Sequence, residues 1–155
     1  MQLITAIAVA LLLAWVIVTT QPAQAASCTL IFLLGSNGAL GNPTLNDTKL
    51  SSEDPGGAAV SFTTLTLGGP STVAVGAPSV VYTGARPHSG DTPAVKYQAS
   101  GLLGTVKTQS YTGSATSFGI GTLDGTVTTT LNAQITNSQG FPQGNYDLHT
   151  VVTCS

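Results

Sequence analysis

The chain has 155 residues, a formal net charge of −2, and only ten residues of the Asp, Glu, Lys and Arg types. Its four basic residues, Lys49, Arg86, Lys96 and Lys107, are scattered, so no basic face is expected that could neutralise a phosphate backbone, and nucleic acid is excluded as a partner. Thr, Ser, Gly, Val and Ala dominate, and the charged, leucine-rich stretches of long helices are missing, which points to strands and turns.

The first element is an apolar run of 16 residues from Leu3 to Val18, broken only by Thr5. Thr19-Thr20-Gln21-Pro22 follows, then Ala23-Gln24-Ala25, with small residues at the two positions a signal peptidase reads. This is the order of a secretory signal peptide, expected to be a helix, with cleavage between Ala25 and Ala26. No Lys or Arg precedes the run. The run is short for a spanning helix of about 20 residues and lacks basic flanks, so no membrane span is expected after cleavage. Acylation of Cys28 as a lipoprotein is disfavoured because Ala25 stands where a bulky aliphatic residue is expected. Residues 1–25 thus read as signal peptide. Residues 26–155 read as one secreted domain, large enough for a core, working in the periplasm, at the cell surface or in the medium.

In the mature part, Cys28 to Leu34 reads as a strand with Cys28, Leu30, Phe32 and Leu34 on one face, ended by a Gly35-Ser-Asn-Gly38 turn. Residues 39–57 read as loop. Ala58 to Leu67 reads as a strand whose apolar phase moves from Val60 and Phe62 to Leu65 and Leu67, which predicts a β-bulge near Thr63-Thr64. Short strands are expected at Thr72 to Ala77 and Val80 to Thr83, then a polar loop from Gly84 to Pro93, then strands at Ala94 to Ala99 and Thr105 to Tyr111. Asp124-Gly125 between alternating runs predicts a two-residue type I′ hairpin, pairing Ile120 with Thr129 and Phe118 with Leu131. After a turn at Gly140 to Gly144, the last strand runs from Asn145 to Cys154, with Tyr146, Leu148, Thr150, Val152 and Cys154 on one face. Seven to nine short strands with regular turns describe an all-β, immunoglobulin-like antiparallel β-sandwich, with a small barrel as the alternative.

Two cysteines stand near the ends of the mature part, both on the apolar phase of their strands. In an exported protein an even count favours pairing, so Cys28 and Cys154 are expected to join the first and last strands.

Catalytic patterns are sparse. His88 lies in the Pro87-His88-Ser89-Gly90 loop and His149 on the solvent phase of the last strand, neither in a G-x-S-x-G setting, and both are expected at the surface. With both cysteines assigned, no Cys/His set remains for zinc. Asn46, Asp47, Glu53 and Asp54 form an acidic loop of the kind that offers oxygen ligands to calcium, though at no EF-hand spacing, and a solvated loop is the expected use. Asn46-Asp47-Thr48 is also a glycosylation sequon. No carboxylate pair of a glycosidase stands out. Tyr82, Tyr97, Tyr111, Tyr146 and Phe141 are candidates for a sugar-stacking surface, with Tyr97 and Tyr146 assigned to the core by their phase. Neither an enzyme nor a cofactor is expected.

The segment Gly144-Asn-Tyr-Asp-Leu-His-Thr-Val-Val-Thr153 resembles the closing strand of spore coat protein U-like and related fimbrial, pilin-like secreted domains. Leu40 through Val75 is similar in style, with its Gly-Gly turn and the Val-Ala-Val-Gly-Ala-Pro run. The resemblance covers about half the chain and implies a secreted immunoglobulin-like sandwich of bacterial surfaces, often encoded with a chaperone and usher. It departs from polymerising pilins in one respect. Only Ala26 and Ser27 would precede Cys28, so no free N-terminal strand is expected for donation, and a bonded Cys28 would make the domain self-complete. The expected function is that of a non-catalytic structural or adhesin-like module whose partners are other surface or fimbrial proteins, or glycans. A carbohydrate- or calcium-binding module is the alternative.

Overall fold

The computed structural model describes residues 27–32, 38–41 and 48–155. The expected signal-peptide helix, Leu33 to Asn37 and the acidic-loop residues Asn46 and Asp47 lie outside the described residues. No described helix is long and apolar enough to cross a membrane.

The described chain is all-β and antiparallel, with eleven strands: β1 (Ser27–Phe32), β2 (Lys49–Ser51), β3 (Val60–Leu67), β4 (Ser71–Val75), β5 (Ser79–Thr83), β6 (Thr92–Gly101), β7 (Gly104–Thr112), β8 (Thr116–Ile120), β9 (Thr126–Thr136), β10 (Asn145–His149) and β11 (Val152–Cys154). The expected strands are all represented. The larger number arises because Lys49–Ser51 adds a short strand and the long final strand is interrupted at Thr150-Val151.

One layer has the order β1-β3-β9-β6-β7. Its spine is β9, long enough to pair β3 along its first half and β2 along its second, while β6 follows it over its full length. The other layer holds β11-β4-β8 and β10-β5. These two pieces are one antiparallel ribbon, β4–β5 against β10–β11, stepped in the middle. At the step Gly76 N–H donates to the Val151 carbonyl at 2.8 Å and Thr150 Oγ1 donates to the Gly76 carbonyl at 2.8 Å.

The layers meet over Phe62, Val73, Val75, Val95, Tyr97, Ala99, Phe118, Ile120, Val127 and Leu131, all buried. Across the interface the rings of Tyr97 and Phe118 lie 5.5 Å apart, and Tyr97 O–H donates to Thr116 Oγ1 at 3.0 Å. A buried tyrosine is tolerated where its hydroxyl finds a partner, and here the bond ties β6 to β8. On the outer face of the large layer threonines pair across strands, as Thr63 with Thr128 at 3.5 Å. β-branched residues suit such half-exposed ladders.

Two expectations are corrected. First, Asp124-Gly125 does not close a hairpin. β8 pairs with β4 in one layer and β9 with β3 and β6 in the other, so 121–125 is an arch between layers. Phe118 and Ile120 face Leu131 and Val127 across the core instead of along a shared ladder, an arrangement with the same alternation as a hairpin. The turn chemistry nevertheless operates. Gly125 has φ +55°, its carbonyl accepts from Thr66 N–H at 2.8 Å, and the Asp124 carboxylate caps Gly121 N–H at 3.1 Å. Gly125→Val is expected to cost about 1–3 kcal/mol in urea unfolding, because a β-branched residue resists positive φ. A change within error would mean that the arch can be rebuilt without that conformation.

Second, β3 carries no bulge at Thr63-Thr64. Its register with β9 is unbroken from Val60 to Leu65, and the core phase continues through Phe62, Thr64 and Thr66. Thr64 is fully buried, whereas Leu65 is half-buried and Leu67 is 60% exposed. The leucines suggested a phase change, but threonines occupy the inward positions. The irregular registers lie instead in β6–β7, between Val95 and Tyr97 and between Ala99 and Ser100.

Candidate functional site

The pairing of Cys28 with Cys154 is present, with a Cα–Cα distance of 5.7 Å. It joins β1 to β11 and closes one end of the seam between the first and last strands. Away from it the layers part. β1 pairs only with β3, and β10 only with β5, so each has an outer edge that no described strand covers. Between them lies a cleft of about 370 Å³. Phe32, Val60, Phe62 and Leu131 form one wall, Tyr146, Leu148 and Val152 the other, and Gly38 to Leu40 the rim. Phe62 is fully buried at its floor, and the Phe32 ring, 57% exposed, leans on it at 5.7 Å. The expected link of the first and last strands is thus present, and away from it an apolar slot lies beside two strand edges that no described strand covers.

Beside β10 an aromatic cluster pins the 84–91 loop. His88 was expected at the surface, yet its side chain is only 6% exposed. The loop folds back so that the imidazole packs on Tyr82 at 5.0 Å and Tyr146 at 5.4 Å, with Phe141 at 6.0 Å. His88 Nε2 lies 2.7 Å from Asp91 Oδ1. Buried Asn137 organises this group: its amide donates to the Ser89 carbonyl and to Asp91 Oδ1, both at 2.9 Å, and its Oδ1 accepts from Gln139 N–H at 2.9 Å. Tyr82 O–H donates to the Gln143 carbonyl, and Gly84 and Gly144 flank the Tyr82 ring so closely that a Cβ at either position would collide with it. The rings spend their faces on one another, so the cluster is built to hold a loop. Burial holds the Tyr146 hydroxyl above its usual titration range. His149 is exposed on the outer phase of β10, as expected.

The other candidate residues divide. Tyr97 is core. Tyr111 lies on β7 beside the acidic loop, away from the other aromatic candidates. Its hydroxyl donates to Glu53 Oε2 at 2.9 Å, and Lys96 both pairs with Glu53 Oε1 at 2.6 Å and sits 5.0 Å over the Tyr111 ring. Asp54 pairs with Lys49 at 3.0 Å. The two carboxylates thus turn to different lysines, and among the described residues no group of three ligating side chains comes together.

Lys96 and Tyr111 hold the Glu53 carboxyl below its usual range, and burial, then Glu53, pushes Tyr111 from 10.0 to about 12. In the unfolded chain Tyr111 ionises first, so its contribution to stability is complete below pH 10 and is lost as pH rises toward 12. Denaturation midpoints are expected to fall through that window, and less steeply in Tyr111→Phe. Equal slopes would remove Tyr111 from the alkaline transition.

Sequence reading missed Asn137 and the cleft. Asn137 follows β9 with no motif around it, and its partners lie 46 and 48 residues earlier. The cleft arises from which edges remain unpaired, a property of topology that no local pattern carries. Comparison with protein-family models, with curated proteins and with solved structures found no match. The fold and the cleft define a disulfide-closed antiparallel β-sandwich with an open interlayer slot.

Proposed function

We propose that this chain is a non-catalytic structural module of the cell exterior, pilin-like or adhesin-like, that joins another surface protein by accepting an extended segment into its cleft. The observation that carries this reading is an apolar slot lined by Phe32 at the end of β1 and by Tyr146 to His149 of β10, two strands whose outer edges no described strand covers. An exposed edge offers unpaired N–H and C=O groups, and an incoming strand satisfies them while alternate side chains enter the slot. The disulfide holds β1 to β11, so this domain receives a strand and does not donate its own. A structural disulfide also persists best in an oxidising compartment, in keeping with an export signal at residues 1–25.

The test is a photo-crosslinking amino acid at Asp147, exposed on β10 beside the cleft, in the cells that make the protein. The expected adduct maps by mass spectrometry to an alternating apolar segment of another exported protein. Exported, oxidised protein that yields no such adduct would contradict the reading.

The carbohydrate reading rests on the partly exposed rings of Tyr82 and Phe141. Binding on a glycan array that is lost in Phe141→Ala would favour it.

A further inference from the structure

The turns at one end of the sandwich carry four of its most exposed large apolar side chains. Leu102 (86% exposed) and Leu103 (73%) form the β6–β7 tip, Leu123 (79%) lies on the 121–125 arch, and Leu67 (60%) ends β3. The registers place them together. Leu65 pairs with Thr126 and Gly101 with Val127, so β3, β9 and β6 reach this end side by side. At about 4.8 Å per strand, the leucines span on the order of 10–15 Å. In the three loops, 68–70, 102–103 and 121–125, Asp124 is the sole charged residue, and its carboxylate is turned onto Gly121 N–H.

The chain also enters the fold here, because Ser27 pairs with Leu67. Eight residues separate Ser27 from the apolar run that ends at Val18. Fully extended they reach at most about 28 Å. Until the expected cleavage after Ala25, a run seated in a bilayer would hold the leucine end within reach of the lipid surface at which the domain emerges.

From the four leucines, the near absence of charge and the position of Ser27, we propose that this end is a lipid-docking surface, which seats the domain end-on against a bilayer. The leucines project on separate loop tips, a shape that enters a deformable acyl boundary, and contiguous exposed apolar groups of this kind mark interaction sites. With no basic residue on the loops, attachment is by apolar insertion into neutral lipid and does not depend on salt. The proposal stands apart from the cleft, which opens along the side of the sandwich.

The experiment uses the oxidised mature chain, residues 26–155, carrying Leu103→Trp, which is then its one tryptophan, at the β6–β7 tip. On adding phosphatidylcholine vesicles, its emission is expected to shift to the blue and to be quenched by brominated lipid, at low and high salt alike. A companion of the same span with Ser138→Trp, at the opposite end, is expected to stay unshifted. Adding Leu102→Ser and Leu123→Ser to the tip reporter should abolish the shift. Emission at the tip that ignores vesicles would overturn the proposal. So would a blue shift without lipid that fades on dilution, since that would assign the leucines to a second copy of the chain. A shift equal at both ends would overturn it as well, because attachment would then not be end-on.

Discussion

Replacing Cys28 and Cys154 together by serine is expected to lower the domain's stability by about 4–5 kcal/mol, the entropy that a cross-link of this span removes from the unfolded chain. The two cysteines are 126 residues apart, so the bond restrains nearly the whole described domain. The effect should be large for a topological reason too. Apart from this link, among the described strands β1 pairs only with β3, and β11 only with β4. Urea unfolding of the oxidised parent and the double variant, with a thiol titration of each, measures it. A loss under about 1 kcal/mol, with no free thiol in the parent, would show that the terminal strands need no tie.

The Phe62→Ala substitution is expected to cost about 3–5 kcal/mol, as for a large ring removed from a packed core. Phe62 is fully buried and faces three sets of neighbours: Phe32 on β1, Thr129 on β9, and the floor of the cleft. Those neighbours belong to a ladder and cannot collapse into the space left. Phe32→Ala is the comparison. That ring is mostly exposed, so its loss should cost about 1 kcal/mol or less. Similar costs at the two positions would mean that the cleft wall is not organised around Phe62.

How far the sequence could be read followed from the range of the interactions involved. Alternation marked nearly every strand, since Val73 and Val75, Val95 and Tyr97, and Phe118 and Ile120 face the core at a period of two. Residues 145–154 kept their phase even across the break between β10 and β11, so Leu148, Val152 and Cys154 pack against the core as expected, whereas Tyr146, expected in the core, packs instead with Tyr82, His88 and Phe141. The disulfide was expected from phase, an even cysteine count and the expectation of export. What failed was partnership. Asp124-Gly125 has the composition of a hairpin turn, but whether two alternating strands share a ladder or face each other across a core is decided by β4 and β3, far away in the chain. Thr64 and Thr129 are buried although a hydroxyl gives no sign by type of the burial that neighbouring strands impose, and this is why the phase of β3 was read from its leucines. His88 looked solvated for a similar reason, as its partner Asn137 lies 49 residues on.

The central claim is that the slot between β1 and β10 receives a strand. Titration of the isotopically labelled, oxidised protein with a synthetic peptide of about six alternating valine and threonine residues tests it most directly, by backbone amide and methyl NMR. The expected result is saturable change confined to β10, the Leu148 and Leu131 methyls and the Phe32–Phe62 wall, with slowed exchange of β10 amides. A peptide that leaves those signals in place, or perturbs only the 84–91 loop, would contradict it.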